Sequence, residues 1–208
     1  MHPAHPPTPA PDGPVLSLPP SVPRVRHNGF TRWLGRTVLR LGGWRMVGEF
    51  PDLPKVVVIA VPHSSNWDGI WGFAAKLGMG LKLQVLGKHQ LFWWPLGPLL
   101  HRMGVIAVDR NAASGVVEQI AQMVREADRP YWFALAPEGT RKPVERWKTG
   151  FWKIAHQAGV PIVPGYFHYP DKVIGIGPPF VTSGDMEADI ARMREWYRPW
   201  QGRHHGTP

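Results

Sequence analysis

Cysteine is absent from all 208 residues, which excludes disulfides, thiolate metal sites and a cysteine nucleophile while leaving the compartment open. Long apolar runs are absent as well. The longest uncharged apolar stretch in the middle of the chain, Leu91 to Leu100, has ten residues and two prolines, whereas a bilayer span takes about 20. Acidic residues are scarce beside basic ones, 15 against 24, for a formal net charge of +9 and a pI near 10.3. That balance calls for anionic company: nucleic acid, anionic lipid headgroups or a phosphorylated substrate. No HExxH or similar cluster supplies a third metal ligand and an open position, so no metal is expected. No serine sits in a nucleophile elbow, and no internal repeat is visible.

The first 28 residues hold nine prolines and few groups able to build a core, and residues 1–28 read as a disordered arm. The arm lacks the basic start and apolar stretch of a secretory signal and is expected to stay on the mature protein. Residues 29–208 suffice for one domain with a substantial core. Between Arg24 and Arg45 lie six arginines and no acidic residue. Phe30, Trp33, Leu34, Val38 and Leu41 recur there at helical spacing, with Arg32, Arg36 and Arg40 mostly off the stripe. The pattern predicts an amphipathic basic helix over 29–46. Two readings are open and compatible: a helix lying in the headgroup layer of an anionic membrane, and a helix packed on the domain. Trp93 and Trp94, flanked by Lys88, His89, His101 and Arg102, suit either a membrane interface or an aromatic core. The expected membrane contacts are Phe30, Trp33, Leu34, Arg36, Arg40, Trp93 and Trp94.

Apolar runs at Val56–Val61, Leu83–Leu86, Val105–Val108, Tyr131–Ala136, Val160–Val163 and Val173–Ile176 read as strands. Helical patterns separate them: Trp67 to about Leu77 closed by Gly78, a segment capped by Ser114, Phe151–Gln157 stopped by Gly159, and a last helix from Asp185 to about Tyr197. Leu91 to Met103 reads as helical or irregular. Strands that are apolar throughout, alternating with helices, indicate an α/β fold whose mostly parallel or mixed central sheet is covered by helices. Nucleic acid is not expected as a partner, because the basic residues concentrate on one amphipathic segment instead of interleaving with aromatics over an exposed sheet.

Three of these strands deliver polar residues at their carboxyl ends, the edge where such sheets bind ligands. After the first come His63 and Asp68, in the arrangement HxxxxD. On an unbroken helix that spacing would turn the side chains about 140° apart, so a bend is needed, and Ser64, Ser65 and Asn66 are good N-cap residues that supply one. An imidazole braced by a carboxylate can take a proton from an alcohol. The plain alternative is a surface histidine near a helix start. After a second strand, Glu138, Gly139, Thr140 and Arg141 suit a phosphate, through a close backbone amide, a hydroxyl and a forked guanidinium, with Glu138 positioning Arg141 or another cation. The alternative is a tight turn. Arg110, at the end of a third strand, offers a second cation or simply pairs with Asp109. Lys148 and Gly150 are secondary candidates, a positive charge near an apolar helix start.

The blocks HSSNWD, GVIAVDR, PEGTR and VPIVP, in this order across residues 63 to 164, resemble the glycerophospholipid acyltransferase family, which includes 1-acylglycerol-3-phosphate acyltransferases. The second block has Ala107 where that family commonly has an aromatic residue. The resemblance implies an α/β fold, acyl-CoA or acyl carrier protein as donor and co-substrate with no cofactor, and a lysophospholipid acceptor at an anionic membrane surface. Carried onto matching positions, it makes His63 the general base and Asp68 its orienting partner. Arg110 and Glu138 to Arg141 would hold the acceptor phosphate, and Val160, Pro161, Ile162, Val163 and Pro164 would help form the acyl pocket. The expected reaction turns 1-acylglycerol-3-phosphate into phosphatidic acid, with lysophosphatidylcholine or another lyso-lipid as the alternative acceptor and a non-catalytic membrane-binding module as the rival. The expected place is the cytoplasmic face of a membrane, attached peripherally or monotopically.

Overall fold

The computed structural model describes residues 13–25, 29–88, 90, 92–108 and 113–207. Period-two alternation in strands that are apolar on both faces requires two cores, one on each side of a sheet. β2 (Lys55–Ala60) sends Val56 and Val58 into one core, Val57 and Ile59 into the other. β5 (Tyr131–Leu135) divides Trp132 and Ala134 from Phe133, and β6 (Ile162–His168) divides Val163 and Phe167 from Ile162 and Tyr166. With β1 (Arg45–Gly48), β3 (Leu83–Lys88), β4 (Val105–Val108) and β7 (Val173–Ile176) they form a seven-stranded sheet in the order β1-β7-β6-β2-β5-β3-β4. Every pairing is parallel except β6 with β7, so the sheet is mixed.

The first core is closed by α1 (Gly29–Gly42) and α2 (Asn66–Met79), through Leu39, Ala74, Ala75 and Met79. The second is closed by α4 (Ala113–Glu126), α5 (Gly150–Ala158) and α6 (Met186–Tyr197), through Ile120, Val124, Phe151, Ile154, Met193 and Tyr197. A short α3 (Leu96–Arg102) precedes β4, where the sequence read helical or irregular. Among the described residues no helix is long and apolar enough to cross a membrane.

Several boundaries depart from the sequence reading. The basic helix stops at Gly42 instead of reaching residue 46, because Gly43 turns left-handed (φ 72) and Arg45 and Met46 join β1, an edge strand too short to announce itself. α2 runs through Gly78 to end at the left-handed Gly80 (φ 71). α4 begins at Ala113, so Ser114 lies inside its first turn and not at its cap. β6 continues to His168 across ProGly, which reads locally as a breaker, since β2 and β7 flank it on both sides. The largest correction concerns the arm. Residues 1–12 and 26–28 lie outside the described residues, but 13–25 are packed: Leu16 and Val22 are buried, the Met46 amide donates to Pro14 O at 2.9 Å and the Val25 amide to Gly80 O at 2.9 Å. Proline has little conformational freedom to lose on docking, and a few apolar residues among the prolines suffice to hold the segment.

α1 lies on α2 in an unexpected orientation. Its buried residues are Gly35 and Leu39, while Phe30, Trp33, Leu34 and Leu41 of the apolar stripe stay exposed. Arg36, exposed overall, reaches across to α2, its Nε donating to Gly78 O at 3.1 Å near the carboxyl end of that helix, where the free carbonyls and helix dipole favour a cation. The close crossing depends on Gly35: a Cβ there would fall 2.4 Å from Ala74 O and 2.4 Å from Gly78 N, both backbone atoms that cannot yield. Gly35→Ala is therefore expected to destabilise the protein by ~1–3 kcal/mol, seen as a lower urea midpoint with an unchanged slope.

Candidate active site

β2 leads directly into the loop carrying His63. Ser65 is the N-cap of α2, its Oγ accepting from the Trp67 amide at 3.2 Å, and Asp68 is the third helical residue, completing a capping box. The bend demanded by the HxxxxD spacing is thus this helix cap. It brings Asp68 Oδ2 to 3.3 Å from His63 Nδ1, with the carboxylate fully buried and the imidazole a quarter exposed. Oδ2 also accepts from the amides of Ser64 and Ser65, each at 2.8 Å, and Oδ1 accepts from the Tyr169 hydroxyl at 2.6 Å. Burial, then this hydrogen bond and the Asp68 charge, hold the Tyr169 hydroxyl well above its usual range, so it stays a donor. An acceptor on Nδ1 places the ring proton there and leaves the lone pair on Nε2, the form a general base needs.

The second loop meets the first at one buried bond. Glu138, past the carboxyl end of β5, is 4% exposed, and its Oε2 accepts from the His63 amide at 2.7 Å. Its side chain therefore holds the His63 loop, a different partner from the Arg141 guanidinium that the sequence suggested. Burial pushes the Glu138 carboxyl up to about 7 and the Asp68 charge adds to that, against the His63 amide bond and the charges of His63 and His205. Gly139 is left-handed (φ 64), and a Cβ on it would fall 2.8 Å from Lys148 Cε, so the Lys148 side chain lies over the glycine. Thr140 Oγ1 accepts from the Lys142 amide at 3.3 Å, which leaves its proton to donate. The Arg141 side chain is exposed. Beneath both loops the buried Tyr197 hydroxyl bridges Ile59 O and Gly165 O at 3.1 and 3.0 Å, fixing the seam of β2 and β6.

A family model described as Acyltransferase matches residues 49–168, more than half of the chain. The chain belongs to the Acyltransferase family. This acyltransferase is similar in fold to the crystal structure of the 1-acyl-sn-glycerophosphate (LPA) acyltransferase PlsC from Thermotoga maritima. The two share 17% identity and a TM-score of 0.58, with 79% of this chain and 74% of that chain covered. At that identity the likeness is one of fold. No curated protein sequence matches the chain.

Of the residues the sequence singled out in this acyltransferase, the structure gathers His63, Asp68, Glu138, Gly139 and Lys148 through direct contacts. Arg110 and its neighbour Asp109 lie outside the described residues. Gly150 opens α5, where a Cβ would meet only Val117 at an ordinary 3.6 Å. Val160 to Pro164 are not brought to the pair. Ile162 pairs with Val57, well before the carboxyl end of β2, and its amide and carbonyl bond Phe180. Ile162 and Val163 fill the two cores. An apolar cavity of about 100 Å³ lies instead between α2 and the sheet, lined by Ala60, Gly72, Ala75, Trp132 and Phe167 among others, and by none of those five. Trp93 and Trp94 are exposed at 60% and 83%, so they form no aromatic core. Two contributors escaped the sequence reading, Tyr169 and His205; Ser64, read there as a cap residue, gives its amide to Asp68 instead. Both reach the site from positions whose sequence neighbourhood carries no motif. Among the described residues no three His, Asp or Glu side chains are arranged to hold a metal.

A carboxyl held up at about 7 by burial favours folding while it is protonated, and that advantage is lost as pH rises from its ordinary 4.5 through about 7. The gap corresponds to roughly 3 kcal/mol. Glu138→Gln keeps an acceptor for the His63 amide without the titration. Relative to that variant, the wild type is expected to lose about this much stability across the same interval, followed by urea unfolding at a series of pH values; parallel curves would show that Glu138 does not titrate there.

Proposed function

We propose that this acyltransferase moves a fatty acyl group from acyl-CoA or acyl carrier protein to the free hydroxyl of a lysophospholipid, with 1-acylglycerol-3-phosphate as acceptor and phosphatidic acid as product. The observation that carries the reading is the 2.7 Å bond from the His63 amide to Glu138, which sets a braced imidazole against a loop suited to phosphate. A phosphorylated alcohol spans these two features; a substrate with only one would leave the other without purpose.

In this reading His63 Nε2 takes the hydroxyl proton as the acceptor oxygen attacks the thioester carbonyl. Asp68, anchored by its three hydrogen bonds, steadies the imidazolium. The tetrahedral intermediate collapses with loss of the thiolate, which recovers the proton from His63. No acyl-enzyme forms, because the acceptor is itself the nucleophile. Gly139, Thr140 and Arg141, with Lys148 over the glycine, hold the phosphate, and Arg110 is proposed to join them. The cavity under α2 offers apolar volume for part of the acyl chain.

The outward stripe of α1 supports membrane docking. Phe30, Trp33 and Leu41 are 66%, 59% and 85% exposed, beside Arg40 at the surface, an arrangement that costs solvation unless a lipid interface covers it. Trp93 and Trp94 offer a second contact. Attachment at the cytoplasmic face of an anionic membrane is part of the proposal.

His63→Ala is expected to lower transfer of labelled acyl groups to lysophosphatidic acid by ~10²–10⁴-fold with an unchanged circular dichroism spectrum; near-normal transfer would refute the base. A panel containing lysophosphatidic acid and lysophosphatidylcholine distinguishes the acceptors, and no transfer to any of them would leave the non-catalytic module. Replacing Phe30 and Trp33 together by serine is expected to weaken sedimentation with anionic vesicles by more than about tenfold. Undiminished sedimentation would remove α1 as the docking surface.

A further inference from the structure

Residues 201–207 form a small turn closed on itself by a bridge between Gln201 and Gly206 and by the Gly202 amide donating to His205 O at 3.0 Å. One side of it is anchored to the end of β6. The Tyr169 amide donates to Gln201 O at 2.9 Å, the Gln201 amide donates to His168 Nδ1 at 3.1 Å, and the preceding Trp200 stacks on Tyr166 with ring centres 3.8 Å apart.

The other side touches both loops of the site. Toward the His63 loop, the His204 amide donates to Ser64 Oγ at 3.3 Å, and Gly202 lies so close that a Cβ would fall 2.5 Å from Ser64 Oγ and 3.1 Å from Pro62 Cγ. Arg203 lies over the Trp67 ring in the first turn of α2, 5.6 Å from its centre. Toward the phosphate loop, His205 Nε2 is 3.1 Å from the Arg141 carbonyl oxygen, while Nδ1 is 3.0 Å from Gly206 O. Glu138 joins the two loops through a hydrogen bond to the His63 amide. The turn supplies a second point of attachment, and two points fix both separation and angle.

We propose that the 201–207 turn is a positioning clamp for catalysis, with His205 its tie to the phosphate loop and Gly202 and His204 its seat on the His63 loop. The inference rests on the function proposed above. An acceptor whose hydroxyl and phosphate are a set distance apart reacts only if Nε2 and the anion loop keep the matching distance, and a misplacement of about 1 Å costs on the order of 10²-fold. In this role His205 is a positioning residue that acts through the backbone carbonyl of Arg141.

The test compares His205→Ala, which removes the donor to Arg141 O, with His205→Gln, whose amide can still donate. His205→Ala is expected to raise the KM for lysophosphatidic acid by about fivefold, the factor one hydrogen bond is worth, with a smaller change in kcat, and His205→Gln to restore most of the loss. Hydrogen–deuterium exchange should rise together in residues 62–65 and 138–141 of the alanine variant and not in β2 or β5. An unchanged KM in His205→Ala, or equal loss in both variants, overturns the clamp, as does unchanged exchange in the two loops. A wild-type protein that transfers acyl groups to no lysolipid sinks the proposed function instead, and the exchange measurement still decides whether the turn holds the loops.

Discussion

The buried carboxylate of Asp68 is the constraint on which the site depends. A charge with its side chain wholly out of water is costly unless its oxygens are bonded. Here the Ser64 and Ser65 amides and the Tyr169 hydroxyl bond it. Those bonds also shape the loop. The two amides pull the chain into the turn that starts α2, and that turn aims His63 Nδ1 at the same carboxylate. Helix initiation and imidazole orientation are one event, so the group that braces the base also folds the segment presenting it.

Around this hub the sheet supplies rigidity in proportion to its burial. β2 and β5 are central, apolar on both faces and adjacent in register, so their carboxyl ends deliver His63 and Glu138 side by side. The α1 surface follows a different logic. Small residues at its crossing with α2 let the backbones touch and keep Arg36 on the free carbonyls of α2, so the large apolar side chains have nowhere to go but outward. Phe30, Trp33, Leu34 and Leu41 are thereby left exposed among the described residues.

Much of the architecture was legible in the chain. Val56 to Val61 and Tyr131 to Leu135 are apolar without interruption, which announces strands covered on both faces, and the intervening helical periods announce the cover. Asp185 was readable as the start of α6, whose N-cap it is. The cap at Ser65 was readable as well, because capping is a matter of a few consecutive residues. Less legible were β1, whose four residues have no length over which to alternate, and β6, whose Pro164 and Gly165 look locally like a break. The packed segment 13–25 was hidden by its prolines, since composition reports an inability to build a core and not an ability to dock on one.

The boundary between the two kinds of knowledge is sequence distance. His63 and Asp68 are a local pair, and their meeting follows from spacing, a serine cap and the pitch of a helix. Tyr169 meets Asp68 from 101 positions away, Glu138 meets the His63 amide from 75, and His204 meets Ser64 from 140. No periodicity spans such intervals, so these contacts exist only once the parallel register of β2, β5 and β6 has placed three strand ends along one edge. VPIVP marks the converse case: its apolar residues are plain in the chain, but register places most of them well short of the carboxyl edge, in the two cores, away from the imidazole.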